Sequence, residues 1–187
     1  MVKHKTCVFI SGKGTNLKNL IRCSRDSSFP ITISLVISNK KKAEGLNFAK
    51  IYKIPYIIID TNFKNYEIKT LLFLKKHKIS FICLAGFMKI ISNNIIRSFE
   101  KKIINIHPSL LPKFKGLNTF NRVLSNKEKK TGCTVHYVTS KLDAGQIIVK
   151  KRFYLDSDEN ELTLKRKTQK LEYRAFPEAI IKTFRNS

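Results

Sequence analysis

The run Thr6-Cys7-Val8-Phe9-Ile10-Ser11-Gly12-Lys13-Gly14-Thr15-Asn16 joins a mostly apolar segment to a glycine-rich turn. Its first five residues predict a buried strand, and the residues that follow it, through Cys23, predict an amphipathic helix. The glycines allow the backbone to approach an anion closely, and the start of the helix offers free N–H groups and a positive dipole end. The turn therefore resembles a phosphate cradle.

This turn matches no complete phosphate-binding motif. No Gly-Lys-Ser/Thr closes a Walker loop, and Leu17 occupies the last position of a dinucleotide-binding fingerprint. The alternative is an ordinary tight turn in which Thr15 or Asn16 caps the helix.

Strand-like and helix-like segments alternate beyond this turn. Strands are predicted over residues 31–37, 56–59, 81–84 and 102–105, and helices over residues 43–52 and 66–77. The predicted strands are nearly all apolar, as in a parallel sheet covered on both faces. From residue 131 two neighbouring strands, 133–138 and 146–153, precede a closing helix over 158–184 that breaks or bends around Pro177. We expect one α/β domain over residues 1–187, Rossmann-like, with a mostly parallel central sheet flanked by helices.

The composition narrows the class of protein. With 42% hydrophobic residues the chain can form a packed core, and none of its apolar runs is long enough for a signal peptide or a membrane span. The four cysteines are scattered, and the four histidines do not pair at metal-ligand spacing. We therefore expect buried free thiols, no metal site and a cytoplasmic location.

The formal net charge of +24 has two interpretations. A basic surface binds phosphate without sequence specificity, which suggests nucleic acid. However, the lysines are spread along the whole chain among many Ile, Asn and Phe residues, a mixture that AT-rich codons produce, and no basic stripe interleaves with aromatic residues. Compositional drift is the favoured explanation, with some attraction for anionic small molecules.

A second motif, Asn105-Ile106-His107-Pro108-Ser109-Leu110-Leu111-Pro112, follows the predicted strand 102–105. Residues two apart in an extended backbone point to the same side, so the Asn105 carboxamide and the His107 imidazole should converge. An amide donor beside a titratable imidazole can polarise a carbonyl and move a proton. The alternative is a strand end with a capped loop and one surface histidine.

Two further polar residues lie near the end of the chain. Asp143, in the tight turn Leu142-Asp143-Ala144-Gly145, either bonds its own backbone or orients His107 and raises its pKa from about 6.5. His136 lies in an apolar strand and is expected to be a hydrogen-bonded structural histidine, with a supporting role in the pocket left open.

Together these motifs and the segment Leu84-Ala85-Gly86-Phe87-Met88-Lys89-Ile90 occur in the order found in the phosphoribosylglycinamide formyltransferase family, which the chain resembles over essentially its whole length. The resemblance implies the formyltransferase fold and transfer of a formyl group from 10-formyltetrahydrofolate, as cosubstrate, to glycinamide ribonucleotide (GAR) in purine synthesis. It also implies small-molecule partners, no specific nucleic acid or membrane, and a monomer or weak homodimer.

The resemblance also implies residue roles. Asn105, His107 and Asp143 match the catalytic trio, which acts while the substrate amine attacks the formyl carbon directly and a tetrahedral intermediate forms. The residues that match the binding site for GAR and its phosphate are Gly12, Gly14, Thr15, Asn16 and Glu172. The residues that match the folate site are Lys64, Met88, Lys89, Ile90, Ile91 and Asn105, with Lys64 a weak stand-in for an arginine of some relatives.

Two other functions remain open. Methionyl-tRNA formyltransferase shares the catalytic motif, but the first turn and the end of the chain soon after the closing helix argue against it. A noncatalytic, basic binding protein is the other alternative, and the intact polar trio argues against that one.

Overall fold

The computed structural model describes residues 2–61, 63 and 65–185. The chain divides into two compact units, residues 1–105 and residues 106–187, and the division falls inside the fifth strand.

The first unit alternates strands and helices. Its elements are β1 (His4–Ile10), α1 (Thr15–Ser24), β2 (Ile31–Ser38), α2 (Leu46–Ile51), β3 (Tyr56–Ile58), α3 (Tyr66–Lys76), β4 (Phe81–Leu84), α4 (Asn93–Ser98) and the first part of β5 (Ile103–His107). The strands are all parallel, in the order β3-β2-β1-β4-β5. Val8, Phe9 and Ile82 are fully buried, so the predicted sheet of apolar, parallel strands is confirmed.

The strand order reverses at β1. The chain passes from β1 to β2 and β3 on one side, and then returns to place β4 on the other side of β1. Open α/β sheets bind ligands beyond the carboxyl ends of the strands at such a reversal. In this unit, that position belongs to the loops that follow β1 and β4.

The second unit is built on an antiparallel strand pair. It contains the end of β5, α5 (Thr119–Ser125), β6 (Lys130–Tyr137), β7 (Ile147–Tyr154) and α6 (Glu161–Arg185). β6 and β7 pair antiparallel, with Cys133 opposite Lys151. α6 packs against this pair, and the Lys151 ammonium lies 2.6 Å from the Glu178 carboxylate of α6.

α6 runs through Pro177 without a break, so of the break or bend predicted there, the break does not occur. A proline inside a helix removes one backbone hydrogen bond and crowds the preceding turn. On both sides of it, however, Phe176 and Ile180 are fully buried. Burying side chains of this size contributes about 1.5–3 kcal/mol each, which offsets the lost hydrogen bond.

Two short helices were not predicted. α4 has six residues and α5 has seven, too few turns to give a clear periodic pattern. α4 is fixed at its start by Ser92, whose hydroxyl accepts a hydrogen bond from the Ile95 amide at 3.4 Å. α2 is shorter than predicted, since it begins at Leu46 rather than at residue 43.

All four cysteines are free thiols, as predicted, and Cys7, Cys83 and Cys133 are buried. Cys23 is only half-buried, so the prediction of burial was wrong for this one residue. Burial, with a smaller contribution from the Glu172 carboxylate, raises the pKa of the Cys133 thiol to about 12. Within the described residues, no group of three His, Cys, Asp or Glu side chains is placed to hold a metal ion. Among the described helices, none combines the length and the apolar character needed to cross a membrane.

Candidate active site

β5 carries the first two site residues. The strand continues to His107, two residues beyond its predicted end, so Asn105 and His107 occupy alternate positions of one extended segment. Their side chains therefore point to the same face of the strand, as the sequence analysis expected. Asn105 is half-buried and His107 is buried.

The His107 imidazole has an oxygen near each ring nitrogen. Nε2 lies 2.9 Å from the Phe114 carbonyl oxygen, and Nδ1 lies 3.4 Å from Asp143 Oδ2. Since a carbonyl oxygen only accepts, Nε2 must carry a proton for the first contact to be a hydrogen bond. The structure thus brings His107 and Asp143 together, which the spacing of the sequence did not establish.

Asp143 is fixed by its turn and by a backbone donor. Its φ is +45°, in the left-handed region that aspartate tolerates better than most residues. The Gly116 amide donates to Asp143 Oδ2 at 2.8 Å. The turn passes so close to the end of β6 that a Cβ on Gly145 would lie 1.8 Å from the Tyr137 carbonyl oxygen. Glycine is therefore required at position 145 to hold Asp143 in place.

His136 also faces Asp143. Its Nε2 lies 3.5 Å from Asp143 Oδ1, and its Nδ1 lies 2.8 Å from the Tyr137 carbonyl oxygen. In each of the two imidazoles, one ring nitrogen contacts a backbone carbonyl oxygen and the other faces the Asp143 carboxylate. A neutral imidazole in this position turns a lone pair toward the carboxylate, whereas a protonated one donates to it. The cluster of His107, Asp143 and His136 is therefore suited to hold and release a proton.

The pKa shifts in this cluster have opposing causes. Burial lowers the pKa of His107 and outweighs the Asp143 carboxylate, which raises it. The Asp143 carboxylate thus raises this pKa, as expected, while burial makes the net shift downward. Burial alone would raise the pKa of Asp143, but hydrogen bonds from His136 and Gly116 and the charge of His107 hold it below its ordinary value.

The glycine-rich turn of the first unit leads into α1 through Gly14. α1 begins at Thr15, its N-cap is Gly14 with φ +68°, and no side chain caps it. Capping by Thr15 or Asn16, the alternative from the sequence, is therefore not what the structure shows. A Cβ on Gly14 would lie 2.5 Å from the Gly45 Cα, whereas a Cβ on Gly12 would meet nothing within 4 Å.

A hydrogen bond links the loops after β1 and β4. The Met88 amide donates to the Ser11 hydroxyl at 2.8 Å, and this hydroxyl donates to Asn39 Oδ1 at 2.6 Å. The segment expected to bind folate is therefore fixed beside the glycine-rich turn, at the reversal of strand order. In this segment Met88 and Ile90 are 58% and 74% exposed, and Lys89 is exposed, whereas Ile91 is buried.

Two further residues were expected to bind the substrates. Glu172 lies half-buried on α6, where its carboxylate contributes to the raised pKa of the Cys133 thiol of β6. Lys64 lies outside the described residues.

These features match a known family. Residues 4–180 match the family model described as formyl transferase, and the chain belongs to that family. Over 184 residues it is 37% identical to the phosphoribosylglycinamide formyltransferase of Haemophilus influenzae, covering 96% of this chain and 86% of that protein. The crystal structure of phosphoribosylglycinamide formyltransferase from Brucella melitensis matches with a TM-score of 0.91 at 36% identity, covering 100% of this chain and 97% of that one. The predicted fold class and family are confirmed.

A second group of relatives is much longer. The chain is 41% identical over 184 residues to the trifunctional purine biosynthetic protein adenosine-3 of Gallus gallus, covering 95% of this chain and 18% of that protein. The chain thus spans less than a fifth of the length of these trifunctional relatives.

The sequence analysis missed the backbone groups of the site. The Phe114 carbonyl and the Gly116 amide hold His107 and Asp143, and any residue type supplies such groups. Gly116, with φ +78°, was the one available signal, because a glycine after a proline-containing loop suggests a left-handed turn.

Proposed function

We propose that this chain transfers the formyl group of 10-formyltetrahydrofolate to the amine of GAR, a step of purine synthesis. The observation that carries the proposal is the buried contact between His107 Nδ1 and Asp143 Oδ2, 3.4 Å apart, on the strand that presents Asn105. Membership of the formyl transferase family supports the same reaction.

The chemistry follows from what each side chain can do. The folate supplies the formyl group, and the amine of GAR attacks its carbon, so that no nucleophile from the protein is needed. The Asn105 carboxamide donates a hydrogen bond to the oxygen on which negative charge develops. His107, when protonated, stabilises the same charge, and with Asp143 it moves the proton from the attacking amine to the departing nitrogen.

We assign the phosphate of GAR to the turn formed by Gly12, Gly14, Thr15 and Asn16. Gly14 at the N-cap of α1 provides no side-chain cap, and the helix dipole favours negative charge at this end of the helix. Glu172 is proposed to contact the ribose.

We assign the folate to the segment from Met88 to Ile91, with Lys64 and Asn105 as further contacts. Met88 and Ile90 expose large apolar side chains next to the strand-order reversal. A flat, largely apolar ring system would cover that surface, and removing it from water stabilises the complex by about 25 cal/mol per Å².

The test compares two acceptors. The chain is incubated with 10-formyltetrahydrofolate and either GAR or initiator methionyl-tRNA, beside a His107→Ala variant whose folding is checked by circular dichroism. Transfer to GAR that is lost in the variant supports the proposal. Transfer to the tRNA alone would assign the chain to the rival activity, and no transfer by the folded chain would favour a noncatalytic binding protein.

A further inference from the structure

A second cavity lies within the unit of residues 106–187. It has a volume of about 460 Å³, within the range of small-molecule sites. Its lining combines the segment Leu110–Phe114 with Glu128, Lys130, Thr131, Lys150 and Arg152. Asn105, His107 and Asp143 are not part of this lining, although it includes Phe114, whose carbonyl oxygen lies 2.9 Å from His107 Nε2.

The register of β6 and β7 explains where the cavity lies. Lys151 points toward α6, where it contacts Glu178, and its neighbours Lys150 and Arg152 therefore point to the opposite face of the strand. On that face Thr134 is paired with Lys150, and its hydroxyl donates to the Ser109 carbonyl at 2.7 Å and accepts from the Leu111 amide at 3.1 Å. The loop after β5 is thereby fixed over the strand pair and forms one wall.

Three cations at this cavity lack counter-charges. In the part of the chain that the structure describes, Lys130, Lys150 and Arg152 form no ion pair or side-chain hydrogen bond, and all three are exposed. The carboxylate at the cavity, that of Glu128, lies 2.8 Å from the Lys113 ammonium and is already neutralised. The cavity thus has an excess of three positive charges.

The spacing of these cations suits one anionic group. Lys150 and Arg152 are two residues apart on β7, about 7 Å along the strand. Lys130 on β6 is paired with Tyr154 on β7, two residues beyond Arg152. Lys130 and Arg152 are therefore diagonal neighbours on one face of the strand pair, about 7–8 Å apart. Long side chains that start at such distances can converge on a phosphate, and the guanidinium of Arg152 offers it a planar pair of donors.

The opposite wall is apolar. It is formed by Leu110, Pro112 and Phe114, and the Phe114 ring is fixed by the Arg122 guanidinium, 5.5 Å from its centroid. A ligand that satisfies both walls carries a phosphate at one end and a flat, weakly polar ring at the other. We propose that this cavity binds a nucleoside phosphate, with its phosphate on Lys130, Lys150 and Arg152 and its base against Leu110, Pro112 and Phe114.

The test measures binding of adenosine monophosphate by calorimetry at about 0.15 M salt, where general attraction to a basic surface is screened. The Lys150→Gln/Arg152→Gln variant should bind at least tenfold more weakly than wild type. The matched control is Lys165→Gln/Arg166→Gln, which removes the same two charges from exposed positions on α6 and should bind like wild type. Amide resonances of residues 130–131 and 150–152 should shift on binding.

Two additional ligands test the contributions of the two cavity walls separately. Pyrophosphate and adenosine each carry half of the expected recognition, so both should bind more weakly than adenosine monophosphate. Equal weakening in the control variant would show that net charge alone attracts the ligand and would overturn the proposal. The proposal would also fail if pyrophosphate bound as tightly as the nucleotide, if resonance shifts were confined to residues 12–16, or if no ligand bound.

Discussion

At the scale of single residues, the protonation state of His107 depends on the opposing effects of burial and of nearby charge. Desolvation favours its neutral form, while the Asp143 carboxylate and the Phe114 carbonyl favour the protonated one. Desolvation outweighs both of these contributions, so the pKa of His107 lies below its ordinary value, and the neutral imidazole can accept a proton from the attacking amine.

Replacing Asp143 should change both the pKa of His107 and the rate of formyl transfer. In Asp143→Asn the carboxylate charge is lost, so the pKa of His107 should fall further below its ordinary value, because burial is then less opposed. We expect kcat for formyl transfer to decrease by about a hundredfold or more. NMR titration of the His107 ring and steady-state kinetics measure the two effects.

The matched control for this variant is Asp158→Asn, at an exposed position in the second unit, which should leave both quantities unchanged. An unaltered His107 titration in Asp143→Asn would show that the two side chains do not interact.

The pH dependence of stability has a definite sign. The folded pKa of His107 lies below its unfolded value of 6.5, so between these values the unfolded chain binds more protons and acid favours unfolding. The folded pKa of Asp143 is also lowered, and its contribution is lost at more acidic pH, below 3.8. Between pH 7.5 and 5.5, His107 is therefore the member of this pair that destabilises the fold.

We therefore expect the free energy of unfolding in urea to fall between pH 7.5 and 5.5, and to fall less in His107→Gln. The interpretation of the His107 pKa is wrong if the slope of His107→Gln equals that of wild type.

Part of the site could be predicted from the local sequence, whereas the contacts between distant segments could not. The convergence of Asn105 and His107 follows from strand geometry, so two positions on one element were enough to predict it. The contact of His136 with Asp143 joins a strand to a distant turn, and nothing in the local sequence encodes it. The backbone donor and acceptor at Gly116 and Phe114 have no residue signature at all.

At the scale of elements, the turn between β1 and α1 is limited by backbone contact. Gly14 combines a left-handed φ with a close approach to Gly45, whose amide also donates to the Gly12 carbonyl at 3.0 Å. An alanine at position 14 meets both the strain and the contact, whereas an alanine at position 12 has open space beside it.

Gly14→Ala should therefore lower the free energy of unfolding by at least about 1–2 kcal/mol, the cost of a left-handed conformation for a residue with a Cβ. It should also raise KM for GAR, because the turn must move. Gly12→Ala is the matched control, and we expect a change in stability within about 0.5 kcal/mol. Equal effects of the two substitutions, measured by urea denaturation, would contradict the close contact.

Element boundaries show where sequence patterns lose information. The ends of the parallel strands β1 to β5 were predicted to within two residues, because parallel strands buried on both faces leave a continuous apolar run. The six-residue helix α4 and the seven-residue helix α5 lack the repeats that a helical period needs. The continuity of α6 through Pro177 depends on tertiary packing, which overrides a local rule.

At the scale of the whole molecule, the net charge of +24 opposes folding. Like charges repel more strongly in the compact state than in the expanded chain, and salt screens this repulsion over distances of about 10 Å at 0.1 M. The same charge attracts anionic small molecules both to the glycine-rich turn and to the cavity of the second unit.

We expect the free energy of unfolding to increase as sodium chloride is raised from about 20 mM to 300 mM. Choline chloride at equal ionic strength serves as the control and should give the same increase, since screening does not depend on the identity of the cation. A decrease in stability, or no change, would indicate that the surface ion pairs outweigh the general repulsion. Urea denaturation followed by circular dichroism provides the measurement.

The proposed reaction is tested most directly by the rate of GAR formylation under single turnover, in wild type and in Asn105→Ala. We predict that wild type forms formylated GAR in step with tetrahydrofolate. Asn105→Ala should do so about a hundredfold or more slowly while remaining folded, because it lacks a donor to the developing oxyanion. Wild-type rates in Asn105→Ala, or the absence of formylated GAR with the folded wild-type chain, would contradict it.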